Sequence, residues 1–132
     1  EKRNPENYKQ SSHVFLPDLQ IEDILLEEDS VTRDNKINAG ETCRISLVIV
    51  NNSFQDALDV EPIVKVKRGK YLELSEPVKI ARITREDRII YNVTVQASPK
   101  LRTGEAVFSV CLKEGRGNGT EEETFTIGTA GD

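Results

Sequence analysis

Apolar and polar residues alternate along much of the chain, which is typical of β-strands that bury one face. The clearest alternation runs from 42 to 50, where Cys43, Ile45, Leu47 and Ile49 share one face. Similar runs recur between turn-forming residues, and no segment shows a sustained helical period. Seven or eight short strands, with turn signals about every 8–12 residues, predict an all-β, antiparallel immunoglobulin-like β-sandwich.

The same pattern divides the chain into three parts. Residues 1–16 are mostly polar and lack periodicity, so they are predicted to be a linker or N-terminal tail. Residues 17–128 form the predicted sandwich domain, and residues 129–132 form a short C-terminal stub. Pro62 interrupts the strand predicted around it, which indicates an edge position or a bulge there.

Composition narrows the classes of partner. The chain has 132 residues, enough for one domain with a modest core. Its net charge is −5 and basic residues are interspersed with acidic ones, so no nucleic-acid footprint is visible. The longest apolar run is Leu47–Val50, far short of a membrane span. The chain lacks methionine and a signal peptide, which predicts a mature or excised portion of a longer protein.

The sequence provides few residues for catalysis. Its one histidine is His13, in the predicted tail, so a serine or cysteine nucleophile lacks a histidine base. A histidine-based metal site also lacks its ligands. The acidic runs 27–29 and 121–123 have no apolar surroundings and are predicted to be solvated surface charge. We therefore predict a protein that is not an enzyme and needs no cofactor.

Oxygen-bearing side chains cluster around Gly40. Asp34, Asn35, Asn38 and Glu41 supply the type of ligand that calcium prefers, which makes them a candidate calcium site. These residue types also form turns by bonding to their own backbone, and glycine suits a positive φ. Turn formation is the favoured interpretation, and calcium binding is the alternative.

The two cysteines are predicted to be free thiols. Cys43 shares a face with the apolar residues of its strand, whereas Cys111 shares a face with Ser109 and Lys113. Cysteines on opposite faces do not meet the separation that a disulfide requires. A β-bulge would restore the pairing and is the alternative.

Three asparagines head glycosylation sequons, namely Asn51, Asn92 and Asn118, and all three are predicted to be exposed. They would be acceptors in a eukaryotic secreted protein, although coincidence is the favoured interpretation. Among the aromatic residues, Phe54 and Tyr71 are predicted to lie outside the core. They are the candidate residues for contact with a glycan or a protein.

The order of turns and strands resembles a known family. Ala39-Gly40-Glu41 precedes an alternating strand, Asn51-Asn52-Ser53 stands in place of an Asn-x-Gly turn, and Thr103-Gly104-Glu105 opens a later strand. This layout resembles the CARDB-type immunoglobulin-like domains of bacterial secreted proteins. The resemblance implies a seven-stranded sandwich without catalytic residues, located outside the cytoplasm in the periplasm, at the cell surface or secreted.

Three functions are compatible with this sequence. The first is a non-catalytic accessory module that acts as a spacer or in protein contact and adhesion. The second is a carbohydrate-binding module attached to a polysaccharide-acting enzyme, with Phe54 and Tyr71 as its contacts. The third is a eukaryotic appendage domain that docks acidic peptides on the basic residues of segment 65–70. The expected partner is thus a protein or a cell-surface glycan, with no nucleic acid and no membrane insertion.

Overall fold

A computed structural model describes residues 16–28 and 35–131, which fold into two β-sheets packed face to face. The strands are β1 Leu19–Glu28, β2 Lys36–Asn38, β3 Thr42–Asn51, β4 Ala57–Arg68, β5 Leu72–Leu74, β6 Ile80–Ile83, β7 Arg88–Ala97, β8 Gly104–Lys113 and β9 Glu123–Ala130. The four-stranded sheet has the order β1-β3-β7-β5, and the five-stranded sheet has the order β2-β9-β8-β4-β6. The predicted all-β sandwich is confirmed.

One short strand accounts for the difference from the predicted number. β2 lies within the predicted turn around Gly40 and pairs with β9, and this pairing is parallel, unlike the other ladders of the described strands. A strand of three residues is too short to show alternation, so its pairing depends on where β9 lies.

Apolar side chains fill the space between the sheets because each long strand turns its alternating face inward. Phe108, Ile45, Leu47 and Leu112 are buried there. The Phe108 ring stacks on the half-buried Phe125, with 5.3 Å between ring centroids. Burial of such side chains is the main source of stability in a domain of this size.

The sandwich has two ends, which we name after the exposed aromatic residue at each. β4 runs from the Phe54 end to the Tyr71 end over about 35 Å. β1 begins at the Phe54 end, where Leu19 pairs with Asn51. β9 finishes at the Tyr71 end, where Thr129 pairs with Gly104. The described chain therefore enters the domain at one end and leaves it at the other.

The predicted domain limits, 17 and 128, lie two residues before the first residue of β1 and within β9. Residues 1–15 of the predicted tail lie outside the described residues, and Pro17 is already buried. β9 continues to Ala130, two residues beyond the predicted end, because its last residues pair with β2.

Pro62 lies on a partly open sheet edge, in agreement with the prediction. β6 pairs with β4 only from Ala57 to Val60, whereas β8 pairs with β4 from Glu61 onward. On the β6 side, no described strand therefore pairs with β4 beyond Val60. Asp59, at the change of partner, has a φ of 51°, which bends the strand there.

Candidate functional site

The two aromatic residues predicted to contact a ligand lie far apart. Phe54 is 54% exposed in the β3–β4 loop, and Tyr71 is 46% exposed in the β4–β5 turn. The length of β4, about 35 Å, separates them. Each was correctly placed outside the core, but the two rings do not form one binding platform.

Three clefts meet around Tyr71 and Leu101. Tyr71 lies between a cleft of about 450 Å³ towards β8 and one of about 460 Å³ towards the end of β7. A third cleft of about 540 Å³ continues past Leu101 to Gly131. Lys70 and Arg102 line the first cleft, and their pairing was not predicted. In the sequence, the basic residues Lys100 and Arg102 on either side of Leu101 could have indicated a cationic site in the β7–β8 loop.

The backbone that carries Tyr71 has an unusual conformation. Tyr71 has a φ of 68°, and Gly69 has a φ of 137°. Positive φ is uncommon for an aromatic residue and marks a strained turn. The turn is held in place because the Ser98 N–H donates a hydrogen bond of 2.9 Å to the Tyr71 carbonyl. A ring on this turn is thus presented to solvent from a fixed backbone.

The candidate calcium residues form a hydrogen-bonded turn. Asp34 lies outside the described residues. The Asn35 N–H donates to Glu28 Oε2 at 3.0 Å, and the Asn38 side-chain amide donates to Glu41 Oε2 at 3.3 Å and to Glu28 Oε1 at 3.4 Å. The structure therefore brings Asn38 and Glu41 together and adds Glu28 to them. The calcium site itself stays a prediction.

One part of the acidic-run prediction was wrong. Glu28 is buried, whereas Glu27 is exposed and lies 3.6 Å from Arg44. The bulge in β1 between Ile21 and Asp23 shifts the alternation, which turns the Glu28 side chain inward. Glu121 to Glu123 are exposed, as predicted.

The Asn51 side chain is buried and its amide bonds to four backbone groups, so the prediction that Asn51 is exposed was wrong. Its Oδ1 accepts hydrogen bonds from the Ser53 N–H at 3.2 Å and from the Asp18 N–H at 3.4 Å. Its Nδ2 donates to the carbonyls of Gln55 at 2.8 Å and Ile83 at 3.1 Å. A fully buried amide with these partners is not available as a glycan acceptor.

The other two sequon asparagines differ from each other. Asn92 is exposed, as predicted, and its Oδ1 accepts from the Ser46 hydroxyl at 2.7 Å. Asn118 is half-buried, and its amide donates to Glu114 Oε1 at 3.2 Å. Of the three, Asn92 is therefore the most accessible.

Glu114 organises the β8–β9 loop and fastens it to β4. Its side chain is completely buried. Its carboxylate accepts from the N–H groups of Leu58 and Arg116, both at 2.9 Å, and from that of Asn118 at 3.2 Å. Burial alone would raise the pKa of Glu114, but these hydrogen bonds outweigh it and hold the pKa below its usual value.

The β8–β9 loop contains three glycines, at 115, 117 and 119, and it is held by close contacts. A Cβ on Gly119 would overlap the Leu112 carbonyl oxygen, so a side chain does not fit there. The Thr120 N–H donates to that same carbonyl at 2.8 Å. Gly119 thus permits a close approach of two backbones.

Cys43 and Cys111 do not form a disulfide, as predicted. Cys43 is buried between the sheets, and Cys111 is half-buried on the outer side of the five-stranded sheet. The two residues belong to different sheets. The Cys43 side chain points towards the five-stranded sheet, whereas the Cys111 side chain points away from the four-stranded sheet, so a disulfide cannot form without rearrangement.

We expect a thiol-alkylating reagent to modify Cys111 in the native protein and Cys43 only after unfolding. Labelling of Cys43 should be at least about a thousandfold slower, because it requires a global opening of the sandwich. Mass spectrometry of the single variants Cys43→Ser and Cys111→Ser would assign the two rates. A monomer with an internal Cys43–Cys111 disulfide, detected on a non-reducing gel, would contradict this expectation.

The outer face of the four-stranded sheet carries an apolar patch formed by Leu25, Val48 and Ile90. Leu25 is 46% exposed and Ile90 is 66% exposed. The half-buried Val48 pairs with Ile90 on one side and with Asp23 on the other, and Leu25 pairs with Ser46, the next residue of β3 on the same face. Two exposed apolar side chains on one sheet face, with the half-buried Val48 diagonal to Leu25, make this face a candidate contact surface.

The described residues contain no group of three or more histidine, cysteine or acidic side chains placed to hold a metal ion. In the same part of the chain, no helix has the length and apolar character to cross a bilayer.

Comparison with known proteins gives matches in structure only. No protein-family profile matches the chain, and no curated protein matches its sequence. The native α2-macroglobulin of Escherichia coli, in a structure spanning domain MG7 to the C-terminus, matches with a TM-score of 0.61 and 15% identity. That match covers 89% of this chain and 17% of the macroglobulin chain.

A second match is the CARDB domain of a Pyrococcus furiosus protein. Its solution structure has a TM-score of 0.60 and 8% identity, and the match covers 89% of this chain and 98% of that domain. A crystal structure of the same domain in complex with di-metal ions has a TM-score of 0.59 and 9% identity, and covers 89% of this chain and 97% of that one. The fold is that of a CARDB-type immunoglobulin-like domain. The resemblance seen in the sequence is therefore confirmed at the level of fold.

Proposed function

We propose that the chain is a non-catalytic immunoglobulin-like accessory module of an extracytoplasmic protein, which connects or spaces its neighbours through protein contacts. The observation that carries the proposal is the fold. The chain matches one domain-sized structure over 98% of that domain's length and another protein over only 17% of its length. Both matches describe a sandwich that serves as one part of a larger protein. Fold alone does not define chemistry, so the described surfaces must support the role.

The interior supports a structural role. Apolar side chains occupy the space between the sheets, and the buried Asn51 and Glu114 use their polar atoms to fix loops. Polar groups engaged in this way stabilise a rigid body. The groups left for function lie on the outer faces and at the two ends.

The apolar patch of Leu25, Val48 and Ile90 supplies the contact surface. It lies on the open face of the four-stranded sheet, nearer the Phe54 end, since Ile90 is two residues from the start of β7. Packing a neighbouring domain or a partner on this face would bury apolar area that water now covers. Location outside the cytoplasm is inferred from the likeness to CARDB domains, and cell fractionation tests it.

The experiment compares the intact parent protein with two altered forms. In one, this chain is deleted, and in the other an unrelated sandwich of equal length replaces it. We expect deletion to change the crosslinks between the flanking parts of the parent, as detected by mass spectrometry. Replacement restores them if the module is a spacer, and does not if it makes specific contacts.

A surface variant separates these two roles. Leu25→Lys combined with Ile90→Lys should remove the specific contacts while leaving the isolated chain folded, because both side chains are exposed. Thr94→Lys, on the same outer face and strand as Ile90, is the matched control. Unchanged crosslinks after deletion, or turnover of a substrate by the purified chain, would overturn the proposal.

A further inference from the structure

We propose that the Tyr71 end binds a carboxylated sugar unit of an acidic glycan. Lys70 and Arg102 pair with the sugar carboxylate, and the Tyr71 ring packs on the sugar face. This inference rests on the proposed function only in taking the chain to be a binding module.

Two segments that meet at this end carry a charge opposite in sign to that of the whole chain. The chain carries a net charge of −5. The segments 68–71 and 99–105 nevertheless contain four exposed basic residues and one exposed acidic residue, namely Arg68, Lys70, Lys100, Arg102 and Glu105. None of the four basic residues has an ion pair with another described residue. The end thus presents cationic groups that attract an anion.

The cleft has a suitable size and shape. Its volume of about 450 Å³ lies within the range of small-ligand sites, roughly 300–1,000 Å³. The buried Leu101 and Ala106 are among its lining residues, and the exposed Tyr71 contributes an aromatic ring. Lys70 and Arg102 come from two different loops and line the same cleft. An aromatic ring beside cations suits a ligand with one flat apolar face and one carboxylate.

The backbone that presents these groups is fixed before any ligand binds. The Thr129 hydroxyl donates to the Arg102 carbonyl at 2.7 Å, and the Gly131 N–H donates to Thr103 Oγ1 at 3.0 Å. The Tyr71 carbonyl is held by Ser98, as described above. Binding then requires the ordering of few groups, and preorganisation of this kind raises affinity.

Glu105 favours a sugar over an acidic peptide. Its exposed carboxylate lines the same cleft as Lys70 and Arg102. It would repel a polyanionic peptide, whereas the hydroxyl groups of a sugar can donate hydrogen bonds to it. In a sugar with one carboxylate and several hydroxyls, the carboxylate would pair with Lys70 and Arg102, and the hydroxyls would donate to Glu105.

Isothermal titration calorimetry of the full chain with tetragalacturonate tests the proposal. Cellotetraose serves as the neutral oligosaccharide of equal length, and hexaglutamate and inorganic sulfate serve as the other anions. We expect tetragalacturonate to bind at millimolar concentration, more tightly than the other three ligands. Its affinity should fall as added salt screens the charges. The double variant Lys70→Ala/Arg102→Ala should bind about tenfold more weakly.

Two further variants separate the cleft from general effects. Tyr71→Gly removes the ring at a backbone position that glycine tolerates, and should weaken binding about fivefold. Lys79→Ala removes an exposed charge far from the cleft and should leave binding unchanged. Melting temperatures within about 3 °C of the parent would show that the variants fold.

Three results would overturn the proposal. These are no heat of binding with tetragalacturonate, equal or tighter binding of cellotetraose, hexaglutamate or sulfate, and equal affinity of the double variant and the parent chain. Tighter hexaglutamate binding would assign the cleft to acidic peptides. Each of these results would leave the accessory-module proposal intact, because the deletion and replacement of the chain in its parent protein test that separately.

Discussion

Asn51→Asp is expected to lower the free energy of unfolding by about 3–5 kcal/mol, the usual range when a buried charge is left without a partner. The substitution preserves shape but replaces the donating Nδ2 with an oxygen. That oxygen would face the carbonyls of Gln55 and Ile83, which now accept from Asn51 at 2.8 and 3.1 Å. A buried carboxylate would also lack a cation, since no described ion pair involves this site.

Chemical denaturation of matched variants measures this effect. Asn51→Ala should lose about 2–3 kcal/mol, because it leaves several buried backbone groups without partners. Asn52→Asp introduces the same charge at the exposed neighbouring position and should change stability by less than about 0.5 kcal/mol. If Asn51→Asp and Asn52→Asp had equal stability, the inference that the buried Asn51 amide stabilises the fold through its hydrogen bonds would be wrong.

Glu114→Gln is expected to lower the free energy of unfolding at neutral pH by about 2 kcal/mol, because hydrogen bonds to a charged acceptor are lost. A glutamine has one acceptor oxygen where the carboxylate has two. Its NH₂ group would oppose a donor, either the Leu58 N–H on one side or the Arg116 and Asn118 N–H groups on the other. The β8–β9 loop would then separate from the start of β4.

The pH dependence provides an independent test. The folded-state pKa of Glu114 is lowered, so its stabilising contribution is fully present above the ordinary pKa of glutamate, about 4.3. That contribution is lost as the pH falls through the lowered folded-state pKa, where the folded protein must also take up the proton. The stability difference between parent and Glu114→Gln should therefore shrink in acid. Glu121→Gln, which replaces an exposed acid of the same loop, is the control, and a difference independent of pH would contradict the assignment.

The sequence predicted most of the fold because alternation is a local signal. Strands such as β3 and β7 carry a two-residue period over ten residues each, which defines both their position and their buried face. β2 has three residues, so its pairing with β9 could not be detected. Glu28 was placed at the surface because the bulge that shifts β1 leaves no recognisable mark in the sequence.

The candidate site was predicted only in part. Tyr71 was correctly expected to be exposed, and its distance from Phe54 follows from the single strand that joins them. The cleft itself depends on contact between the β4–β5 turn and the β7–β8 loop, which are some thirty residues apart in the chain. Asn51 likewise is typical of a turn or a sequon, and its burial depends on Asp18 and Ile83, which approach it from distant segments. Contacts between segments that are distant in the chain depend on the tertiary structure, and a single sequence does not reveal them.

The entry of the chain at the Phe54 end and its exit at the Tyr71 end determine how the domain would respond to tension. A pulling force between Leu19 and Ala130 acts along the strands, so β1 would have to slide past β3. The hydrogen bonds of that ladder run across the direction of force and are loaded together rather than one after another. In a series of such modules, each would add about 35 Å of length and resist extension by shear.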